Sequence, residues 1–376
     1  MKIVCIIDIK PDSGGGLGMC LTKINYIKKL KQKKILILTT YKSTSEYLKK
    51  KYKIDNFFYN KNLPIFRFIN YLSKKIPIIQ SHFERFLINN NVDKVFFLSP
   101  SYLNILIKKL NFVYTVWDLS HLEKKLESLP EHDIKVRNSR DNSYKYSAEK
   151  AKFIIIGTKE NRDKFINNYK CTEEVVYVKK FPPYISLIKN ENVETPSVPE
   201  NYLLYPAQYW EHKNHKYLIK FFEDFRLDLD SKNISLVCTG YDKGILKNLL
   251  SVIKKKNLQD RIFLLNYVSD QELKFLYQNS FGIVFPSLIG SHSFPLYEAF
   301  YFEKPVFYNK EILSKELLKY VYPIDVNFTQ SFYNQLIKIY DENETKKLTD
   351  KAKNKFNEIF DEKKIIQNLE SMIKKI

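Results

Sequence analysis

Residues 282–308 read GIVFPSLIGSHSFPLYEAFYFEKPVFY, and this stretch decides the fold class. It opens with a short, continuously apolar run, passes through a loop of Gly, Ser and His, continues as a helical pattern and closes with a second apolar run. Such short apolar runs, separated by a helix, are typical of strands buried on both faces of a parallel sheet. The stretch therefore predicts a β–α–β unit.

The same alternation extends in both directions along the chain. Two series of apolar runs are separated by helical patterns, which predicts an α/β protein with two Rossmann-like, doubly wound domains facing across a cleft. Because such sheets bind ligands beyond the carboxyl ends of their strands, the cleft is the expected site. The runs begin at Ile3, Ile35, Val95, Phe112, Phe153 and Val175, and then at Tyr202, Ile234, Ile262, Gly282 and Pro305.

The polar, proline-containing segment between the two series predicts a linker at 186–200. It divides the chain into an N-terminal domain at 1–185 and a C-terminal domain at 201–360. The tail at 361–376 is predicted to form a helix that packs back on the N-terminal domain. One helix start is marked by a capping box, Ser269 with Glu272.

Composition places the chain among globular proteins. It has 376 residues, 44% of them hydrophobic, which excludes wholesale disorder. Its four cysteines lack metal-binding spacing, which favours a reducing cytoplasm and no zinc site. It has neither a membrane-spanning apolar run nor a signal peptide. The net charge of +20 favours anionic partners, although compositional bias of the genome is an equal explanation.

The segment Leu63–Asn90 has a basic amphipathic pattern. Phe66, Phe68 and other apolar residues alternate with cations such as Arg67. This pattern suits the surface of an anionic membrane. A helical hairpin packed on its own domain is an equally good interpretation.

The first candidate site is DSGGGLG at 12–18, between the opening strand and a helix. Glycines allow the backbone to approach a phosphate, and the free N–H groups of a helix start attract one. The spacing differs from the dinucleotide fingerprint. A plain strand-to-helix turn is the alternative.

The second candidate site follows the strand at 112–116, where Asp118 and His121 lie at the expected carboxyl edge. A carboxylate there can orient a hydroxyl or assist proton transfer, and an imidazole can hydrogen-bond a substrate. The alternatives are a helix cap for Asp118 and a packed histidine for His121.

The third and fourth candidate sites follow strands of the second series. Lys213 lies near a helix start, where the partial positive charge of the helix disfavours a cation unless an anion is bound nearby. The alternative, which is the common case, is a lysine exposed to solvent. N–H groups from Ser291 to Phe294 are expected to form an anion-binding concavity. Glu298, in the next helix, can accept hydrogen bonds from ribose hydroxyls. The alternative is a carboxylate exposed to solvent.

Asp228-Leu229-Asp230 matches a metal-binding pattern by chance, because it lies far from any strand end.

Together these segments resemble glycosyltransferase family 4, which has the GT-B fold, and in particular its branch that assembles bacterial polysaccharide and lipopolysaccharide. The resemblance covers nearly the whole chain. It implies a retaining hexosyltransferase that needs no metal or other cofactor. Such an enzyme moves a sugar from a UDP- or GDP-linked donor to a glycan or a lipid-linked glycan in cell-surface polysaccharide or capsule synthesis.

The resemblance also implies roles for individual residues. Asp118, His121 and Lys213 match catalytic positions, Lys213 neutralising the diphosphate, and Glu298 matches the residue that holds the donor ribose. Three positions depart from the family pattern: Trp117-Asp118 replaces a His-Asp pair, Gln208 replaces an arginine, and Gly290 replaces the first of two glutamates. The donor-binding positions are Gly15, Gly16, Gly18, Gln208, Lys213, Gly290, Ser291, His292, Ser293, Phe294 and Glu298.

The resemblance implies a cytoplasmic protein, with attachment to the inner face of the plasma membrane also open. Two other functions fit the same features: an inactive family member that binds a glycan or partner, and a sugar-nucleotide epimerase of the same fold. A nucleic-acid-binding protein is disfavoured, because the chain has no recognised module for it.

Overall fold

The computed structural model describes residues 1–12, 15–30, 34–76, 78–123, 133–189, 195–290 and 294–375. The chain divides into two compact units. The first contains the described residues up to 181 together with 360–375, and the second contains the described residues from 182 to 359. The chain therefore enters the second unit at 182, within a few residues of the predicted linker.

A seven-stranded parallel sheet forms the centre of the first unit, in the order β3-β2-β1-β4-β5-β6-β7. Strand β1, which pairs with β2 and β4, is apolar from Ile3 to Ile7, and Cys5, Ile6 and Ile7 are fully buried. The bounds are β1 Lys2–Ile7, β2 Lys34–Thr39, β3 Phe57–Phe58, β4 Lys94–Phe97, β5 Asn111–Val116, β6 Phe153–Ile156 and β7 Val176–Val178.

Helices connect these strands, and local signals mark several of their starts. The Ser81 hydroxyl accepts a hydrogen bond from the Glu84 N–H, and the Asp133 carboxylate caps the next helix in the same way. The bounds are α1 Gly15–Lys28, α2 Lys42–Tyr52, α3 Pro64–Lys75, α4 His82–Asn89, α5 Ile134–Lys150 and α6 Lys159–Tyr169.

The last helix of the chain, α15 (Glu362–Lys375), packs in the first unit. It contacts α1. The Lys29 ammonium lies 2.9 Å from the Glu362 carboxylate, and the Lys94 ammonium donates to the Ile373 carbonyl at 3.3 Å. The C-terminus thus completes the helical layer beside β1.

A six-stranded parallel sheet forms the second unit, in the order β10-β9-β8-β11-β12-β13. The capping box of Ser269 and Glu272 is present at the start of α10. The strands are β8 Tyr202–Pro206, β9 Ser235–Thr239, β10 Ile262–Leu265, β11 Gly282–Phe285, β12 Val306–Asn309 and β13 Tyr322–Ile324. The helices are α7 His215–Asp224, α8 Arg226–Ser231, α9 Leu246–Lys255, α10 Asp270–Asn279, α11 Phe294–Tyr301, α12 Lys315–Leu318, α13 Thr329–Leu336 and α14 Glu342–Ile359.

All the apolar runs that predicted strands are strands of the structure, and two parallel sheets confirm the prediction of two Rossmann-like domains. The sequence analysis missed β3 and β13. Both are edge strands of two or three residues, and β13 contains Pro323, so neither produces a clear apolar run. In the described parts of the chain, no helix combines the length and the apolarity that crossing a bilayer requires.

Candidate functional site

In the second unit, the loop after β8 is joined by hydrogen bonds to the loop after β11. The His212 carbonyl accepts from the Leu288 N–H at 2.8 Å and from the Ser287 hydroxyl at 3.3 Å. The Asn214 side-chain amide donates to the Pro286 carbonyl at 3.3 Å. Parallel order places both loops at the carboxyl edge of the sheet, where this fold class binds ligands.

Lys213 lies at this junction. It ends the short 3₁₀ helix Glu211–Lys213, and its carbonyl accepts from the Tyr205 hydroxyl at 2.7 Å. Its ammonium lies 5.3 Å from the centre of the Phe285 ring, at the end of β11. Asn214 then takes a left-handed conformation, with φ of 56°, and α7 begins at His215. The structure therefore brings Lys213 next to the strand end that leads into the predicted phosphate loop.

Two residues at the end of β12 fix the loop after β11. The Asn309 amide donates to the Ser287 carbonyl at 2.9 Å, and the Tyr308 hydroxyl donates to the Gly290 carbonyl at 3.2 Å. Gly290 has φ of +101°, a backbone conformation in which a side chain is strained, so this position favours glycine. Sequence reasoning missed Tyr308 and Asn309, although a polar residue at the end of a buried strand was the available signal.

Phe294 is the first residue of α11 and is partly buried. It follows the predicted anion-binding loop. Ser291, His292 and Ser293, which were predicted to contact the donor, lie outside the described residues.

Gln208 presents a hydrogen-bond donor at the same edge. Its side-chain carbonyl accepts from the Trp210 indole N–H at 3.0 Å, whereas its buried Nε2 has no hydrogen-bond partner among the described residues. A buried donor left without a partner is rare in proteins and indicates a ligand or a water. Gly240 follows β9 and packs against the backbone of Ala207. A Cβ at Gly240 would lie 2.5 Å from the Ala207 carbonyl oxygen, so a larger residue would not fit there without a shift.

Glu298 lies in α11 and is partly buried. Burial raises the pKa of its carboxyl to about 7, and the negative charge of Asp270 acts in the same direction. The Tyr277 hydroxyl donates to Oε2 at 2.5 Å, which opposes this rise in pKa. The carboxyl is therefore held in one orientation by a tyrosine and is close to half-ionised at neutral pH.

An aromatic group that sequence reasoning missed lies just after the ends of β8, β9 and β10. The rings of Tyr241 and Tyr267 are stacked, with centroids 4.7 Å apart and an interplanar angle of 18°. The Lys243 ammonium lies 5.8 Å from the ring centres of both Tyr241 and Trp210. Flat, partly exposed rings beside a cation suit a planar, electron-rich ligand. The signal was an aromatic residue directly after each strand.

In the first unit, Gly16 packs against Trp117, the residue that follows β5. A Cβ on Gly16 would lie 2.6 Å from the Trp117 ring, so only glycine fits there without a shift. Gly15 is exposed and has no atom within 4 Å of a Cβ, and Gly18 lies partly buried in the first turn of α1. The buried indole Nε1 of Trp117 finds no acceptor in the described part of the chain. The glycines and Trp117 thus form one surface at the carboxyl edge.

Asp118 is paired with Arg140 from α5. The guanidinium lies 3.0 Å from Oδ1, which also accepts from the Ser120 N–H at 2.9 Å. Burial acts to raise the pKa of the Asp118 carboxyl, but Arg140 and the Ser120 hydrogen bonds outweigh burial and lower the pKa below its ordinary value. An ionised, ion-paired carboxylate can orient a hydroxyl, but it is a weak general base at neutral pH.

His121 lies 8% exposed among aromatic rings, including Tyr144. Its Nε2 lies 3.0 Å from the Tyr169 hydroxyl, which donates to Asp141 at 2.8 Å. Burial and the charge of Arg140 lower the pKa of its imidazole to about 4, so the ring is neutral at pH 7. The buried Nδ1 has no partner within the ranges given above. This environment is that of a packed histidine with one ring nitrogen available.

A second polar cluster, also missed by sequence reasoning, lies at the ends of β1, β2 and β4. The Asp8 carboxylate accepts from the Ser101 hydroxyl at 2.7 Å, from the Thr40 hydroxyl, and from the Lys61 ammonium at 2.5 Å. The same ammonium lies 4.2 Å from the centre of the Tyr41 ring. The signal was an aspartate directly after the first apolar strand, as at Asp118.

The Asp-x-Asp segment that the sequence analysis set aside lies in α8. Arg261 contacts Asp230 at 2.6 Å, and the Tyr333 hydroxyl donates to Asp228 at 3.1 Å. These carboxylates are therefore tied to side chains of their own unit.

Solved structures of other proteins superpose on this chain and show its fold. HepE of Anabaena, solved in complex with UDP-glucose, superposes with a TM-score of 0.73 at 15% identity, covering 100% of both chains. A UDP-GlcNAc 2-epimerase of Neisseria meningitidis, bound to UDP-GlcNAc, superposes with a TM-score of 0.63 at 13% identity, covering 99% of this chain and 100% of its own. The chain has the GT-B fold.

A family model matches the second half of the chain. Residues 186–356 match the family model described as glycosyl transferases group 1. A curated relative, the O-antigen chain mannosyltransferase RfbU of Salmonella typhimurium, is 28% identical over 192 residues. That alignment spans 50% of this chain and 51% of the relative, so the match covers about half of each protein.

Proposed function

We propose that this chain is a retaining, metal-independent glycosyltransferase. It moves a hexose from a UDP- or GDP-linked donor to a glycan or lipid-linked glycan during cell-surface polysaccharide synthesis. The match of residues 186–356 to group 1 glycosyl transferases supports the reaction class, and similarity to an O-antigen chain mannosyltransferase supports the pathway class. The UDP-sugars in the two structures with the same fold support a nucleotide-sugar donor.

One observation carries the proposal: Lys213 is held by hydrogen-bonded loops beside the strand end that leads into the Gly290 loop. A cation and a positive-φ loop at the carboxyl edge of a parallel sheet suit a diphosphate. Gln208 adds a buried hydrogen-bond donor at this edge, and Glu298 adds an oriented carboxyl that can accept hydrogen bonds from ribose hydroxyls. The Tyr241–Tyr267 stack suits the base of the donor.

In the proposed reaction, the bond between the anomeric carbon and the diphosphate oxygen breaks, and the leaving diphosphate keeps the electron pair. The oxygen of the acceptor hydroxyl forms the new bond to the same face of that carbon, and its proton passes to the diphosphate. Lys213 and the loop N–H groups stabilise the charge that develops on the leaving group. The chain itself therefore needs no strong general base.

The first unit is proposed to bind the acceptor. Asp118, ionised and fixed by Arg140, would orient an acceptor hydroxyl, and neutral His121 would offer Nδ1 as a hydrogen-bond partner. The first turn of α1, with Gly15, Gly16 and Gly18, would bind a phosphate through its free N–H groups. Nucleotide sugars are made in the cytoplasm, so we also propose that the chain acts there.

The Lys213→Ala variant tests the proposal. Loss of one charge-assisted contact to a desolvated phosphate costs about 1.5–3 kcal/mol, so turnover should fall roughly ten- to a hundredfold. Thermal shifts with UDP and GDP identify the donor class first, because a ligand that binds the folded state raises its melting temperature. Lys216→Ala is the matched control: it removes a neighbouring lysine that pairs with Glu211. Equal turnover of the two variants would contradict the role of Lys213.

A sugar-nucleotide epimerase is the second candidate, because a UDP-GlcNAc 2-epimerase shares the fold over nearly the whole chain. Epimerisation needs no acceptor. Conversion of a UDP-sugar without an acceptor, followed by chromatography of the products, would support the epimerase, whereas product that appears only with a glycan acceptor would support the transferase.

A further inference from the structure

Helix α3 (Pro64–Lys75) leaves three of its large apolar residues exposed, whereas the other three, Phe66, Ile69 and Leu72, are partly buried. Ile65, Phe68 and Tyr71 recur at three-residue spacing and are 61%, 59% and 58% exposed. The opposite side of the helix is buried and contains the polar residues Asn70 and Ser73. A helix on a protein surface normally buries its apolar stripe and exposes its polar one. In α3, polar residues take part of the buried side and half of the large apolar residues are exposed, which favours an apolar partner for the outer face.

The buried polar side fixes this orientation. The Asn70 amide accepts from the Phe83 N–H and donates to the Tyr59 hydroxyl, both at 3.3 Å. At the end of the helix, the Lys108 ammonium donates to the Ser73 carbonyl at 2.6 Å. Rotating α3 to bury its apolar residues would break these hydrogen bonds inside the protein. The outward direction of Ile65, Phe68 and Tyr71 is therefore built into the packing.

Positive charge surrounds the apolar stripe. Arg67, Lys74 and Lys75 are exposed on the same helix. The sequence has no Asp or Glu from Asn56 to Phe83. Apolar side chains also continue past both ends of the helix, where Leu63 and Ile78 are exposed.

We propose that the α3 face, defined as Ile65, Phe68 and Tyr71 with Arg67, Lys74 and Lys75, binds the surface of an anionic lipid bilayer. The apolar residues enter the boundary between head groups and acyl chains, while the cations contact lipid phosphates. A second copy of this chain fits less well, because a symmetric dimer would bring the cations of the two faces together. This inference does not depend on the proposed function.

Vesicle binding tests the inference on the full-length chain. The protein is sedimented with phosphatidylcholine vesicles and with vesicles of equal parts phosphatidylcholine and phosphatidylglycerol. We expect binding to the anionic vesicles only. Since a cation near an anionic surface contributes about fivefold to affinity, the double variant Arg67→Glu/Lys75→Glu should bind at least 25-fold more weakly. The triple variant Ile65→Ser/Phe68→Ser/Tyr71→Ser should lose more than tenfold, since it removes the inserted groups.

Matched variants in the second unit control for general effects of charge and apolarity. Lys254→Glu/Lys255→Glu changes two exposed lysines of α9, and Leu227→Ser removes a leucine that is 84% exposed. Both should bind like the natural chain. Phe68→Trp gives a local signal: its emission should shift to shorter wavelength with anionic vesicles, and Leu227→Trp should not shift.

Other results would overturn the inference. Equal binding to neutral and anionic vesicles would remove the role of the cations. Binding that the α3 variants leave unchanged would place the contact elsewhere. If the natural chain ignores vesicles and sedimentation equilibrium shows a dimer that the triple variant breaks, a second copy covers the face. Donor thermal shifts are measured on the same variants, so failure of vesicle binding is distinguishable from failure of the proposed function.

Discussion

Glu298→Gln should make the protein more stable at alkaline pH while weakening donor binding. Glutamine has the shape of a protonated glutamate and can still accept the hydrogen bond of Tyr277. It removes the cost of ionising a carboxyl that burial disfavours. The variant therefore separates the contribution of this group to stability from its contribution to the site.

The magnitude follows from the pKa. Burial raises the pKa of Glu298 from 4.5 to about 7, so between these pH values the folded protein binds a proton that the unfolded chain has lost. The free energy of unfolding therefore decreases as pH rises from 4.5 to 7 and is constant above that. At about 1.36 kcal/mol for each pKa unit the full effect is about 3 kcal/mol, and partial exposure of the side chain reduces our expectation to about 2 kcal/mol.

Urea denaturation of the two proteins at several pH values measures this difference. We expect equal stabilities at pH 4 and a variant more stable by about 2 kcal/mol at pH 8, which is about 4–8 °C in melting temperature for a unit of this size. Glu200→Gln, at an exposed carboxylate, serves as the control. A stability difference independent of pH, or a natural chain that is more stable at pH 8, would refute the reasoning.

The same variant reports on the site. The ionised carboxylate forms stronger hydrogen bonds to ribose hydroxyls than an amide does, so the natural chain should bind its donor more tightly as pH rises through 7. The variant should bind it about fivefold more weakly at pH 8, with no dependence on pH in this range. Calorimetric titration with the nucleotide found by thermal shift measures both.

Three further outcomes are expected. Gly16→Ala should destabilise the chain by about 1–3 kcal/mol, because its Cβ would overlap an indole ring, whereas Gly15→Ala should be neutral or stabilising in thermal denaturation. Arg140→Gln should raise the pKa of the His121 imidazole from about 4 towards its ordinary value, since a neighbouring positive charge is lost, as NMR titration of the ring would show. Gln208→Leu should weaken binding of the nucleotide sugar by roughly tenfold in calorimetry, because it removes the unpartnered Nε2 donor, and should change the free energy of unfolding of the free protein little, because loss of the Trp210 hydrogen bond offsets removal of that donor.

The positions of the candidate site residues could be predicted from the sequence because these residues follow the ends of strands. Gly16, Asp118, Lys213 and Glu298 each lie in the loop or helix that follows a continuous apolar run, and the carboxyl ends of such runs meet at one edge of a parallel sheet. The partners of these residues come from distant parts of the chain. Arg140 lies in α5, beyond the loop that follows Asp118, and no local pattern marks it as the partner of that carboxylate.

The order of strands and helices, the two series of α/β elements and the sheet edges at which the candidate residues lie could be read from the sequence, because they follow from local periodicity and strand polarity. The ionisation of buried groups, the side-chain partners and the outward face of α3 depend on the folded chain. A pKa depends on burial and on charges from other elements, as for Glu298 and His121. The orientation of a helix likewise depends on which of its sides finds hydrogen bonds in the core. Asn70 finds them, and so Phe68 lies outside.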